Sequence, residues 1–246
     1  MQSATDKKVL ITGGSGSVGR HLVDSFCAQG FRVSFTYHRG VREARRLSER
    51  TGATSIALDL SRSFVLPDRK FDILINNAAV NLSDEEVHKL TEAEWTATLA
   101  VNLTAPFLTI KQCIPHMRRA RWGRVVNISS IFGVRGVERR AAYCATKHAL
   151  GGLTKVVAKE NARFGITCND ICPGPIKSRM MNRIASEAVA HTGDDPASYL
   201  ASVAEEIPAG RLAYPEDLSA VAAFLTSDLA RHINGASIIV DGAYSC

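Results

Sequence analysis

The chain predicts an α/β fold in which a doubly wound parallel sheet of about seven strands carries helices on both faces. Three observations support this. Short apolar runs alternate with longer amphipathic ones along nearly all of the 246 residues, the pattern of a parallel sheet covered on both sides. A glycine-rich segment, Thr12–Gly19, separates the first apolar run from the first amphipathic one. The apolar content of 46% is enough for a large core, and no low-complexity linker divides the chain, so residues 1–246 read as one domain.

The elements follow in order. Lys8–Thr12 is a short buried-type strand that gives way to glycine, and Val18–Gln29 is the first helix. Arg32–Thr36 is the second strand. Val41–Thr51 is the second helix, a solvated face whose arginines have internal Glu partners. Thr54–Leu58 and Asp72–Ile75 are the third and fourth strands. Only Leu60–Phe71, twelve residues including Pro67, joins them. A parallel crossover takes about a dozen residues, so any helix there is very short or absent. Glu92–Met117 reads as one long helix with Pro115 near its end. Arg124–Ile128 is the fifth strand, running into Ser129-Ser130, and Ala142–Phe164 is the next helix. Ile166–Ile171, the helix Glu216–Ser227 and the strand Ser237–Val240 complete the repeat.

The chemistry centres on Tyr143 and Lys147. The segment Ala142–Lys155 contains no proline, so a spacing of four puts the phenol and the ammonium on one helix face. Tyr has a reference pKa of roughly 10. A cation alongside favours the phenolate and brings the group toward the range of efficient proton transfer near neutrality. Ser129 and Ser130 close the preceding strand, where a hydroxyl can bond a substrate oxygen. The set suits moving a proton onto or off a carbinol oxygen. The same spacing also arises as a core ring beside a solvated amine, but here it follows a strand, a glycine turn and a helix start. That combination is a pyrophosphate cradle, with Gly13, Ser15, Ser17, Val18 and Gly19 on the approach.

Further motifs lie at matching intervals: Asp59 after the third strand, Asn76-Asn77-Ala78-Ala79 after the fourth, and Asn102 in Val101-Asn102-Leu103. Asn127-Ile128-Ser129-Ser130, Tyr143-x-x-x-Lys147, Asn169, Pro173-Gly174 and Val240-Asp241-Gly242 follow. In this order they resemble the short-chain dehydrogenase/reductase family over nearly the whole chain. The resemblance implies a seven-stranded Rossmann-type sheet and a nicotinamide dinucleotide held by the glycine turn. It adds Tyr37, His38, Arg39, Asp59, Leu60, Asn77, Ala78, Ala79, Pro173, Gly174 and Ile176 as contacts, with Tyr143 and Lys147. It implies that Ser130, thirteen residues before the tyrosine and in preference to Ser129, orients the substrate oxygen. Tyr143 then gives the proton, Lys147 lowers the Tyr pKa and holds the nicotinamide ribose, and Asn102 supports a water relaying protons to Lys147. One departure is Ser17, at the position of the family's middle glycine. If that position requires close backbone approach or an unusual φ, Ser17 costs about 1 kcal/mol.

Cofactor choice is read from the end of the second strand, Thr36-Tyr37-His38-Arg39. NAD-binding chains place an acid there for the ribose hydroxyls. This one offers a guanidinium for a 2′-phosphate, with Arg20 as a second cation, so the expected cofactor is NADP(H). Six cysteines form no CxxC pair. They read as free thiols of a reducing cytoplasm, with no metal site. The polar Met1–Lys8 is no signal peptide, and no run reaches the roughly 18 apolar residues of a membrane span.

The net charge is +6. Arg118, Arg119, Arg121 and Arg124 precede the catalytic strand, while Arg135, Arg139 and Arg140 lie between Ser130 and Tyr143, on the loop at the mouth of the site. Such a rim attracts an acidic partner such as acyl carrier protein, and length and pattern look like the 3-oxoacyl-(acyl carrier protein) reductases. A solvated basic surface explains the same arginines. A reductase of a free steroid, sugar or xenobiotic and a non-catalytic dinucleotide-binding regulator are the alternatives. No module accompanies the charge that would bind nucleic acid. Ile176–Ile207 matches the family's substrate lid, with Met180, Met181, Ile184, Tyr199 and Leu200 as candidate pocket residues and His191–Pro196 as a polar hinge. Leu99, Leu103, Phe107, Leu150, Val157 and Gly151-Gly152 on the two long helices suggest a second apolar face. Its use is a homodimer or homotetramer, with Tyr244-Ser245-Cys246 meeting a neighbouring subunit.

Overall fold

The computed structural model describes residues 6–190, 193 and 195–246. Seven parallel strands form one sheet in the order β3-β2-β1-β4-β5-β6-β7. They are β1 Lys8–Ile11, β2 Arg32–Tyr37, β3 Thr54–Ala57, β4 Ile73–Asn76, β5 Gly123–Ile128, β6 Ile166–Pro173 and β7 Ser237–Val240. The helices α1 Ser17–Ala28 and α2 Val41–Thr51 lie between the first strands as expected. The chain runs from β1 outward to β3, then returns to the other side of β1 for β4. That reversal opens a crevice at the carboxyl ends of β1 and β4, where open α/β sheets bind ligands.

The strand period sorts the core into two layers. Val9 and Ile11 pack with Leu22, Phe26, Phe35, Ile73 and Leu218 on one face. Leu10 packs with Leu74, Ile110, Met117, Val125 and Cys168 on the other. Successive side chains of a strand point to opposite faces, so a three-residue apolar run serves both layers.

The link between β3 and β4 contains no helix, as its length and Pro67 predicted. It is nevertheless fixed: Leu66 and Phe71 are buried, Leu66 N–H donates to Gln112 Oε1 at 2.8 Å, and Lys8 pairs with Asp68 at 3.0 Å.

The expected single helix Glu92–Met117 is two helices joined by a π turn. α3 Glu92–Leu99 starts at a Thr91/Glu94 capping box, the π turn spans Ala100–Thr104, and α4 runs Ala105–Ala120 with Pro115 inside it. Pro106 supplies a cause. It has no N–H for the carbonyl four residues back, that of Asn102, and its ring crowds that carbonyl, so the α register breaks there. π turns of this kind are frequent at functional sites.

α5 spans Ala141–Asn161. The last third carries α6 Arg179–Val189, α7 Pro196–Glu206 and α8 Pro215–Thr226. Within the expected hinge, His191, Thr192 and Asp194 fall outside the described residues. Leu150 and Val157, expected on an outer face, are instead 1% and 5% exposed, facing the molecule's own core. On α3, α4 and α5 the exposed large apolar residues are Trp95, Phe107 and Val156. No described helix is long and apolar enough to cross a membrane.

Candidate active site

Two threonine hydroxyls lock the floor of the crevice. Thr12 Oγ1 accepts from the N–H groups of Asn77 and Ala78, each at 3.0 Å. Thr36 Oγ1 accepts from Gly13 N–H at 3.0 Å. Asn77 Nδ2 donates back to the Thr12 carbonyl at 2.9 Å. The ends of β1, β2 and β4 are thereby tied together before any ligand arrives. Gly13 has φ +66°, and a Cβ at Gly19 would lie 2.2 Å from the Gly13 carbonyl oxygen. A Cβ at Gly14 would lie 2.5 Å from Phe35 Cβ, so all three positions require glycine.

Ser17 does not. It is the first residue of α1 and has no positive φ, so the expected conformational cost is absent. Its Oγ accepts from Arg179 N–H at 3.0 Å, which fastens the first residue of α6 over the glycine turn. α1 has no side-chain cap and no acid in its first turn. Its leading N–H groups therefore remain for an anion.

The resulting cleft encloses about 690 Å³. Of the expected cofactor contacts, Gly13, Ser15, Ser17, Val18, Gly19, Tyr37, His38, Arg39, Asp59, Leu60, Asn77, Ala78, Ala79, Pro173 and Ile176 line it. Gly174 does not; a Cβ there would meet Asp241 Cβ at 2.8 Å, so its role is close packing. Arg39 lies at the rim and makes no ion pair among the described residues. Arg20 does not line the cleft. Asp59 accepts from Ser61 N–H and Oγ, and these bonds hold its carboxyl below the usual range. The donors and the close backbone fit a nicotinamide dinucleotide.

Beyond β5 the chain turns at Ile131–Gly133. Ser130 Oγ accepts from Phe132 N–H at 3.1 Å and lies beside the Tyr143 phenol. Of the two serines only Ser129 lines the cleft, and its hydroxyl donates to the Lys147 carbonyl at 3.3 Å. Ser130 is buried beside it, and its contact with the phenol favours it as the partner of Tyr143. Lys147 is buried, with Nζ donating to the Ile128 carbonyl at 2.8 Å and standing 5.5 Å from the Tyr143 ring centre.

Here the expected electrostatics need correction. Burial pushes the Tyr143 phenol up to about 12, and the Ser130 hydrogen bond only partly opposes it. Burial also brings Lys147 down to about 8. In the free protein desolvation, and not the lysine charge, sets the tyrosine, because the ammonium is directed at Ile128. Asn102 has a structural contact as well. Its Oδ1 accepts from Val80 N–H and its Nδ2 donates to the Val80 carbonyl, both at 2.8 Å. The side chain clamps the Val80 segment.

Val80, Leu82, Val101 and Met180 form an apolar wall. Met181, Ile184, Tyr199 and Leu200, also expected there, do not line the cleft. Val80 and Leu82 were missed; their alternation after Ala78-Ala79 was the available signal. Arg139 and Arg140 are both held by Asp84, at 3.1 and 2.8 Å, and Arg135 stacks on Tyr244. Arg118 and Arg121 lie over Phe164, and Arg124 is buried against Trp122 and Asp228. That second group sits where β5 begins, at the amino end of the strands and opposite the cleft at their carboxyl ends. No described group of His, Cys, Asp or Glu could hold a metal.

A family model described as enoyl-(acyl carrier protein) reductase matches residues 13–245. The chain is 32% identical to a 3-oxoacyl-(acyl carrier protein) reductase of Staphylococcus epidermidis, over 96% of this chain and 98% of that one. It is 32% identical to an acetoacetyl-CoA reductase of Shinella zoogloeoides, over 95% and 96%. A crystal structure of levodione reductase superposes with a TM-score of 0.87 at 27% identity, covering 97% of each chain.

The glycine geometry is testable. Gly19→Ala forces a Cβ into the Gly13 carbonyl and should lower dinucleotide affinity at least about tenfold, a 1.4 kcal/mol effect, in a fluorescence titration. Gly16→Ala, whose Cβ would meet only the Gly13 oxygen at 3.2 Å, should lose far less. Equal losses would remove the close-approach role of Gly19.

Proposed function

We propose that this chain, which belongs to the short-chain dehydrogenase/reductase family, is an NADPH-dependent ketoreductase of 3-oxoacyl thioesters, carried on acyl carrier protein. Its family consists of NAD(P)-dependent oxidoreductases acting on hydroxyl and keto groups. The observation that carries the reading is the convergence of the Ser130 hydroxyl, the Tyr143 phenol and the Lys147 ammonium beside one dinucleotide-sized cleft.

A nicotinamide dinucleotide bound there supplies the hydride that reduces the carbonyl carbon. Ser130 holds the substrate oxygen. Tyr143, kept protonated by burial, gives its proton to that oxygen as negative charge develops on it. Lys147 holds the nicotinamide ribose and supplies positive charge behind the phenol. Asn102 keeps the Val80 wall in register with this machinery. Arg39, with no competing carboxylate, takes the 2′-phosphate.

Support for a thioester comes from the two reductases of acyl thioesters at 32% identity and from the apolar wall beside the catalytic set. A second reading, a free ketone, draws on the Arg139 and Arg140 pairing with Asp84, which neutralises part of the rim that would attract an acidic carrier. The exposed Trp95, Phe107 and Val156 support a homodimer or homotetramer.

Tyr143→Phe should lower kcat by about 10²–10⁴-fold, the usual contribution of general acid catalysis, with NADPH binding near normal; retention of a tenth or more of turnover contradicts the role. Arg39→Asp should move cofactor preference from NADPH toward NADH, and a wild type that already prefers NADH contradicts the assignment. NADPH oxidation with acetoacetyl groups on carrier protein, coenzyme A and a small thiol should be most efficient on the carrier. Equal efficiency on all three favours the free-ketone reading. In solution, light scattering should return two or four times 26.6 kDa; a single-chain mass removes the assembly.

A further inference from the structure

We propose that Asp170 is the buried counter-ion of Lys147, a positioning residue that keeps the lysine ammonium charged within a site that excludes water. The inference rests on the role given to Lys147 above, but it concerns a carboxylate for which that role provides no use.

Asp170 lies on β6 and is 1% exposed. No Lys, Arg or His forms a direct ion pair with it among the described residues. A buried carboxylate left in that state is costly unless hydrogen bonds and a nearby charge support its ionised form.

The hydrogen bonds are present and all point one way. Thr109 Oγ1 donates to Asn76 Oδ1 at 2.7 Å, and Asn76 Nδ2 donates to Asn127 Oδ1 at 2.8 Å. Asn127 Nδ2 donates to Thr154 Oγ1 at 2.7 Å, and Thr154 Oγ1 donates to Asp170 Oδ1. Ser237 Oγ donates to Asp170 Oδ2 at 3.4 Å. Each member passes a donor toward the carboxylate, so the chain crosses β4, β5 and α5 and ends on an acceptor. An ionised carboxylate only accepts. Such a chain polarises in the direction that favours negative charge at its end.

The nearby charge is Lys147. Lys147, Gly151 and Thr154 fall at i, i+4 and i+7 on α5, one face of the helix. Asp170 packs against that stripe: it receives the Thr154 hydroxyl, and a Cβ at Gly151 would lie 3.5 Å from its Oδ2. The missing side chain at Gly151 leaves room for the carboxylate one turn along the helix from the Lys147 backbone. The β5–β6 register places Asp170 opposite Asn127, next to Ile128, whose carbonyl holds Lys147 Nζ.

The remaining ionisable neighbours carry little charge near neutrality. Lys147 meets Tyr143 on its own helix, and Asp170 and Cys172 on β6; Asp170 meets Lys147 and the thiols of Cys168 and Cys172. Burial raises the phenol and both thiols, so all three stay neutral. Attraction to Asp170 is the largest influence opposing the burial that brings Lys147 down to about 8. Asp170, raised by burial to about 6, is ionised above that pH.

The test follows the lysine directly, without turnover. In protein carrying isotope-labelled lysine, the NMR signal lost in Lys147→Arg identifies Lys147, and its titration is compared between wild type and Asp170→Asn. The midpoint should fall from about 8 by about one pH unit, the lower end for loss of a close opposite charge. An unmoved midpoint in folded Asp170→Asn overturns the proposal. If that variant does not fold, Lys147→Met is examined with labelled aspartate: the Asp170 carboxyl should titrate above its wild-type value of about 6, and no rise overturns the proposal. A wild type that shows the coupling but reduces no ketone supports the counter-ion and overturns the proposed function instead.

Discussion

Keeping one ammonium out of water organises the catalytic half of this molecule. Lys147 is 2% exposed, and a buried cation without partners would lose its proton. The response is structural. The Ile128 carbonyl, at the end of β5, accepts from Nζ. The lysine's own carbonyl takes the Ser129 hydroxyl. The turn that follows closes so tightly that a Cβ at Gly133 would sit 2.9 Å from the Lys147 carbonyl oxygen. Strand end, turn and helix are joined around one residue, and that junction places Ser130 beside Tyr143. Tyr143 and Ser130, the proposed proton donor and holder of the substrate oxygen, are set by the same contacts that bury the charge.

The other half of the cleft is prepared by hydroxyls. Thr12 and Thr36 bind backbone N–H groups from neighbouring strand ends, so the floor is rigid before a ligand enters. Such preorganisation reduces the ordering cost of binding. Above the floor, Ser17 fastens α6 through the Arg179 N–H, linking the glycine turn to that helix. Where a glycine would leave only open backbone, this chain has a contact between the turn and α6.

Much of this was legible in the sequence because it is local. Strand and helix periods, the glycine turn and the Tyr143/Lys147 spacing each lie within a few residues. The helix missing before β4 could be read from a loop length and Pro67. What stayed hidden depends on pairs distant in the chain. Arg139 looked free until Asp84, 55 residues away, was found against it, and the partner of Ser17 is 162 residues away. Leu150 and Val157 were misplaced because a helix has two flanks, and only packing shows which one the sheet covers. The π turn was within reach, since Pro106 cannot donate to the Asn102 carbonyl. Asp170 passed unremarked because its partners come from α5 and β7, not from its neighbours in sequence.

The central claim is that this cleft reduces a carbonyl, with the proton going from Tyr143 to oxygen. Reduction of a conjugated carbon–carbon double bond, the activity named in the description of the matching family model, would need no proton on that oxygen in its product. The decisive measurement supplies NADPH deuterated at the transferable position with an equimolar mixture of 3-oxoacyl and 2-enoyl thioesters, and locates the label by NMR. The account predicts deuterium on the carbinol carbon of a 3-hydroxyacyl product. Label confined to a saturated acyl product would contradict it.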